Sequence, residues 1–260
     1  MLFQLPPFLI VYLLFLTTLV GLVMGSFLNC CAIRLCHGEK ISRGRSHCMS
    51  CGHTLGVLDL VPLFSWLFLR GKCRYCGAPV SARYPLTELV SAAVYIATVC
   101  RFGFSIKTAE GLLFATLLLV IAFCDIEDMV IPDRFIIAGI VVRIVFILLS
   151  DNIGKEALIS VIGGFAVAVP ILIVVLIMEK ILKKEAMGGG DIKLFFMVGL
   201  YLSWQTDIIM VLLACVCGIV FAMLASRRDT AFPFGPSIGL AAWITYLCGQ
   251  QILTAYLGLF

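Results

Sequence analysis

Charge is what this chain has least of. Only 13% of its 260 residues are Asp, Glu, Lys or Arg, about half the share of a soluble domain. Histidine is scarce too, with three residues confined to positions 37, 47 and 53. No lysine or arginine precedes Arg34. The first apolar run, roughly Phe8 to Met24, therefore lacks the basic start of a secretory signal, and no small-residue cleavage site follows it. It reads as a retained membrane helix. No Gly-x-Gly-x-x-Gly follows a strand pattern, so no dinucleotide fold is spelled out. Internal repeats, long linkers and low-complexity tracts are missing as well. A net charge of +4 is too small and too local to imply a nucleic-acid partner.

Apolar sequence is what remains: 62% of residues are hydrophobic and mean hydropathy is +1.12. Only a lipid bilayer absorbs that much apolar surface. Eight stretches have the length and composition expected of spans: about 8–28, 84–100, 108–124, 134–150, 157–179, 191–204, 207–225 and 235–257. The expected fold is an all-α polytopic membrane protein with about eight transmembrane helices. The second, third and sixth stretches are short, so a seven-span form with one re-entrant segment stays open.

Lysine and arginine orient the chain. With the N-terminus outside, residues 29–83 are cytoplasmic and hold Arg34, Lys40, Arg43, Arg45, Arg70, Lys72, Arg74 and Arg83. Later inward segments hold Arg134, then Lys180, Lys183 and Lys184, then Arg227 and Arg228. Outward loops hold only Arg101, Lys107 and Lys155. Arg143 falls inside a span and has no evident partner. Three regions follow: 1–29, a first transmembrane helix; 30–83, a cytoplasmic module; and 84–260, a transmembrane domain.

The module carries the patterned cysteines. Cys48-Met49-Ser50-Cys51 and Cys73-Arg74-Tyr75-Cys76 are two C-x2-C pairs with 21 residues between them, close to zinc-ribbon spacing. Gly52 and Gly77 follow each pair, where a tight turn needs glycine. Four thiolates close a tetrahedral site, so a Zn2+ held there is structural. Disulfides or free thiols are the other readings, and a cytoplasmic setting disfavours disulfides. His47 and His53 flank the first pair and read as surface or supporting residues. Cys30, Cys31, Cys100, Cys124, Cys215, Cys217 and Cys248 lie in or beside apolar segments and read as small core residues. Cys36 is isolated at a boundary.

Two aspartates stand where apolar helices meet the cytoplasm. Asp125 follows an apolar run and leads to Ile131-Pro132-Asp133, with Pro132 at the first turn of the next helix. Asp191 follows Gly188-Gly189-Gly190 and opens a helix. Those glycines permit positive φ, and the helix start favours negative charge. Singly, Asp125 reads as a juxtamembrane charge and Asp191 as a helix cap. Together, on one membrane face, they suggest hydrolysis by an aspartyl pair that shares one proton. One carboxylate takes a proton from water while the other polarises a scissile carbonyl. The pair titrates as a unit, with neither member fixed as acid or base.

In order along the chain stand Gly25-Ser26-Phe27-Leu28-Asn29, the four cysteines, Arg83-Tyr84-Pro85-Leu86-Thr87-Glu88-Leu89, Asp125 with Ile131-Pro132-Asp133, Met187-Gly-Gly-Gly-Asp-Ile-Lys193, and Pro233-Phe234-Gly235-Pro236. This ordered set resembles the bacterial prepilin peptidases, the type IV leader peptidases and N-methyltransferases of pilus and type II secretion systems. Met49 stands where members usually have proline, and Cys36 where many have proline after Arg-Leu.

The resemblance implies a multi-pass protein of the inner membrane with its active site at the cytoplasmic face. Its catalytic pair maps onto Asp125 and Asp191, supported by Gly188 and Gly190 in the Gly-x-Gly-Asp motif. Substrates would be prepilins or pseudopilins, each with a short basic leader cut after glycine. S-adenosylmethionine would then methylate the new amine, with the module and the Gly25–Asn29 and Arg83–Glu88 segments as places for that chemistry. Asn29 and Glu88 also read as helix-packing polar residues. Glu127, Asp128 and Asp133 read either as attractors of the leader or as solvated charge.

Three rivals are weaker, of which a membrane scaffold whose zinc module docks a cytoplasmic partner leaves the aspartate pair unexplained. A presenilin-like intramembrane protease shares the aspartates but not the cysteine module. A cation transporter would use membrane carboxylates, but the expected inverted repeat is not apparent.

Overall fold

A computed structural model describes residues 6–39, 45–184, 186–224 and 232–258. Lys40, Arg43, Arg227 and Arg228, used above for orientation, lie outside the described residues, as does position 225. The protein is helical, and each of the eight apolar stretches overlaps a helix, although the sixth, 191–204, runs past its helix end at Gly199 to the start of the next helix at Trp204. In chain order the α-helices of the described residues are α1 (Pro7–Cys36), the short α2 (Phe64–Phe68) in the module, α3 (Arg83–Phe102), α4 (Ile106–Asp128), α5 (Asp133–Leu148), α6 (Ile153–Leu182), α7 (Gly189–Gly199), α8 (Trp204–Leu224) and α9 (Gly235–Leu257).

Among the described residues, α1, α3, α4, α6 and α8 are long and apolar enough to cross a membrane. Large apolar side chains stand exposed along α1 and α6, including Phe8, Val11, Phe15, Phe165 and Ile173. Apolar patches of that extent belong against lipid. The protein is therefore a membrane protein. At about 1.5 Å per residue, the 11 residues of α7 reach about half the apolar thickness of a bilayer. Leu194, Phe195, Met197 and Val198 are buried in protein, so α7 need not satisfy the length rule that lipid imposes.

The chain divides into two compact units, Met1–Leu112 and Leu113–Phe260. In the first, α1 packs along α3. Gly21 and Gly25 make this possible: a Cβ at either would come within 2.6 Å of Ala92 Cα or 2.7 Å of Glu88 Cα. Small residues four apart are the usual solution for helices that associate in lipid, where the hydrophobic effect does not drive them together.

In the second unit α7 packs against α5, α6 and α9. A Cβ on Gly163 of α6 would strike the carbonyl oxygens of Gly199 and Leu202. Phe114 stacks on Tyr201 with ring centroids 4.1 Å apart, and the Tyr201 hydroxyl donates to the Gly139 carbonyl at 2.7 Å.

Arg143, for which the sequence offers no partner, has several. It is buried on α5. Its Nε–H donates to the Leu200 carbonyl at 2.8 Å and to the Ser160 hydroxyl at 3.2 Å, and its Nη2 pairs with Glu156 at 3.2 Å. Leu200 is the C-cap of α7, so the cation meets the helix end whose unpaired carbonyls carry partial negative charge. We expect Arg143→Met to lower stability by about 2 kcal/mol, since a buried carbonyl loses a charged donor. Thermal unfolding in detergent checks this; an unchanged midpoint would remove Arg143 from the packing of α7.

Candidate active site

Asp125 lies in the last turn of α4 and is 4% exposed. The helix ends at Asp128 because Met129 takes φ 55°, and the Met129 N–H bonds back to the Asp125 carbonyl at 2.9 Å. Asp125 Oδ2 accepts the N–H of Gly235 at 2.7 Å. Gly235 is the first residue of α9, so this amide is one of the donors that a helix start leaves unpaired. A Cβ on Gly235 would lie 2.8 Å from the same oxygen, which leaves glycine as the one residue that fits.

Asp191 is the third residue of α7 and half-buried. Gly188 is the N-cap with φ −62° and ψ 136°, so the positive φ permitted at these glycines is not used at Gly188. Among Gly188, Gly189 and Gly190 none adopts positive φ. They provide space instead. A Cβ on Gly190 would come within 3.0 Å of Ile131 Cβ, and one on Gly188 within 3.3 Å of Asp191 Oδ2. Gly190 thereby lets the segment after α4 approach the start of α7. Pro132, expected in the first turn of α5, is its N-cap, with φ −70° and ψ 125°.

The two carboxylates stand close enough for their charges to act on each other, although 66 positions separate them. A second tie joins the same segments: Lys193 Nζ on α7 pairs with Asp133 Oδ1 on α5 at 2.7 Å. Asp133 therefore already has a cation. Glu127 and Asp128 belong to α4 rather than to a loop.

The Cys48, Cys51, Cys73 and Cys76 sulfurs all lie within 4.8 Å of one another, with Cys48 and Cys76 Sγ 3.9 Å apart. Tetrahedral thiolates about 2.3 Å from a zinc ion are about 3.8 Å apart, so this cluster has the size to hold a metal ion. The two halves are built alike. Gly52 and Gly77 take φ 70° and 71°, and their N–H groups close turns onto the Cys48 and Cys73 carbonyls, each at 2.9 Å. Backbone amides of Cys51 and Ser50 point at the Cys48 sulfur and pull its thiol down to about 6. Burial works against the Asp59 charge, but Arg74 at 2.6 Å, the Gly56 amide and the Tyr75 hydroxyl hold its carboxyl below the usual range. His53 stacks on Tyr75, centroids 3.6 Å apart, and neither His53 nor His47 joins the sulfur cluster.

Two polar sites leave little trace in the sequence. The carbonyl-capping role of Arg143 is one. The other is Asp207 in the first turn of α8, 3% exposed, with no hydrogen-bond partner on either oxygen among the described residues. Its one signal is its place at the edge of an apolar run. Asn29 and Glu88 are buried, at 1% and 6% exposed.

Comparison with known proteins matches the family described as Bacterial Peptidase A24 N-terminal domain over residues 19–102 and the Type IV leader peptidase family over residues 112–223. Among curated relatives, a protein of Aeromonas hydrophila is 34% identical over 82% of this chain and 74% of its own. One of Bacillus subtilis is 31% identical over 91% of this chain and 95% of its own. One of Myxococcus xanthus is 34% identical over 79% of this chain, which spans 61% of that relative. All three bear the name prepilin leader peptidase/N-methyltransferase. No solved structure matches. With these matches across both of its units, the chain belongs to the type IV leader peptidase family.

Proposed function

We propose that this protein is a membrane aspartyl endopeptidase that removes the short basic leader from prepilins or pseudopilins, cutting after glycine. It then N-methylates the new terminus with S-adenosylmethionine. The observation that carries the peptidase reading is that Asp125 and Asp191, from segments 66 positions apart, stand within reach of each other's charge. The relatives' names carry the methyl-transfer reading.

The chemistry follows from the site. Two neighbouring carboxylates in a half-dry setting share one proton. The ionised member takes a proton from water, and the protonated one donates to the scissile carbonyl. A tetrahedral intermediate forms with no covalent adduct. The Gly235 amide fixes one oxygen of Asp125, which leaves the other for water or substrate. The start of α7 favours negative charge at Asp191. Asp128 and Glu127 lie on the same helix end as Asp125 and favour a basic leader; Asp133 is paired with Lys193.

In this reading the site faces the cytoplasm at the inner membrane, and α5, α7 and α9 complete about eight membrane helices. Regions 1–29, 30–83 and 84–260 serve as first span, module and peptidase domain. Cys48, Cys51, Cys73 and Cys76 hold a structural Zn2+, whose binding supplies fold to a segment with little core of its own.

Purified protein in detergent should cleave a leader-bearing prepilin after its glycine, with the mass of one methyl group added when S-adenosylmethionine is present. Asp125→Asn and Asp191→Asn should each lower cleavage by about 10³-fold or more; near-normal cleavage by either would remove that residue from the mechanism. Gly235→Ala should lower cleavage by about 10- to 100-fold, because its methyl displaces the Asp125 carboxylate. An unchanged rate would mean that the amide contact does not position Asp125. Paired replacement of Cys48 and Cys73 by serine should abolish zinc in metal analysis, and full zinc retention would refute the tetrathiolate site.

A further inference from the structure

Asp207 is a buried acid that the peptidase chemistry does not use. It stands in the first turn of α8 and is 3% exposed. No group among the described residues hydrogen-bonds to either of its oxygens, and no Lys, Arg or His among them pairs with it. A buried carboxylate is costly unless something answers its charge. In a membrane helix such a residue points to a site before it points to packing.

Helix capping does not account for it. The Ser203 N–H, just ahead of α8, donates to Thr206 Oγ1 at 3.1 Å, and the Thr206 hydroxyl donates to the Ser203 carbonyl at 2.9 Å. Thr206 thus serves the start of the helix. Asp207 adds its own N–H to the Ser203 carbonyl, at 2.9 Å, and its side chain is left over. Arg143 does not compensate it. That guanidinium reaches the Leu200 carbonyl, Ser160 and Glu156, and Glu156 balances its charge.

Three oxygens converge beside this carboxylate. A Cβ on Gly163 of α6 would lie 2.7 Å from the Leu202 carbonyl oxygen and 3.4 Å from Asp207 Oδ2, and it would also strike the Gly199 carbonyl oxygen. Gly199 ends α7 and Leu202 lies just beyond it, where a helix leaves carbonyls short of partners. The Gly199 oxygen accepts the Leu202 N–H at 3.2 Å and has a second lone pair. All three oxygens are acceptors, and the Gly163 Cα–H groups are weak donors.

Charge and donor type narrow the ligand. Oxygen donors suit a hard cation. One carboxylate supplies one negative charge, and the carbonyls add none. A monovalent ion neutralises that set, whereas a divalent ion would leave a buried positive charge. Carbonyls at the end of a part-length membrane helix are a recurrent setting for Na+, and α7 has 11 residues.

We infer that Asp207, with the Gly199 and Leu202 carbonyls, forms a site for a monovalent metal cation, with Na+ as its ion. Gly163 leaves the room in which these oxygens converge. The ion joins the end of α7 to the start of α8, at the opposite end of α7 from Asp191. It is a resident structural ion and takes no part in peptide cleavage, so the inference stands apart from the peptidase reading.

The test uses the full chain in detergent, exchanged into choline chloride at constant ionic strength. Equilibrium dialysis with radioactive Na+ should show one saturable ion per chain. Asp207→Asn, which keeps the shape and removes the charge, should weaken that binding by about tenfold or more. The wild-type melting midpoint should rise as Na+ replaces choline, because an ion that binds the folded state stabilises it, and Asp207→Asn should lose that rise. In choline alone the variant should melt no lower than wild type, which shows that it is folded. The dialysis of wild type needs no variant. A wild type that binds no Na+ would overturn the inference, because Asp207 then holds a proton or water. Equal Na+ affinity in folded Asp207→Asn would overturn it as well, and so would displacement by Ca2+ at lower concentration than by Na+ itself.

Discussion

Asp125 is buried at the end of an apolar helix, and the donor that reaches it there is the Gly235 amide on its Oδ2. Much of the C-terminal unit is arranged around that contact. The amide is free because it begins α9, and it comes this near because Gly235 has no Cβ. α4 must end close by, as the left-handed turn at Met129 ensures. The partner carboxylate then depends on α7, which is held at both ends. Lys193 ties its start to Asp133, and Arg143 neutralises its carbonyl end at Leu200. The packing of this 11-residue helix against α5, α6 and α9 fixes where Asp191 stands, with the two cations at its ends adding to that packing.

Close packing in lipid comes from small residues rather than from water exclusion. Gly21 and Gly25 bring α1 onto α3, and Gly163 and Gly199 bring α6 onto α7. The same device recurs beside the aspartates, where Gly190 admits Ile131 and Gly235 admits Asp125. Glycine therefore does the same work in the scaffold and beside the carboxylates: it lets backbone approach what a methyl group would block.

The helices are legible in the sequence because an apolar run of span length has hardly any place outside a bilayer. The cysteine cluster is legible because two C-x2-C pairs followed by glycine specify matching turns. Asp125 and Asp191 stand out as charged residues at apolar boundaries. Their proximity does not, since it depends on how α4, α7 and α9 pack and not on spacing. The glycines before Asp191 suggest backbone freedom when their use is space. Arg143 looks orphaned in the sequence because its acceptors, the Leu200 carbonyl, Ser160 and Glu156, reach it only once α5, α6 and α7 have packed. Asp207 is hidden for a related reason: it is buried only after folding, where α8 packs against α6.

The claim on which the mechanism turns is that Asp125 and Asp191 act as one unit on a tetrahedral centre. A prepilin leader peptide with a secondary alcohol in place of the scissile carbonyl mimics that centre, and such analogues bind far more tightly than substrates, by about 10²-fold or more. Its affinity for the purified wild type and for each single Asp→Asn variant is the most direct measurement. A shared-proton pair predicts tight binding by the wild type and loss of the advantage over the uncleaved peptide when either aspartate is changed. An analogue that binds no better than substrate, or that keeps its advantage in both variants, would contradict the paired-carboxylate mechanism.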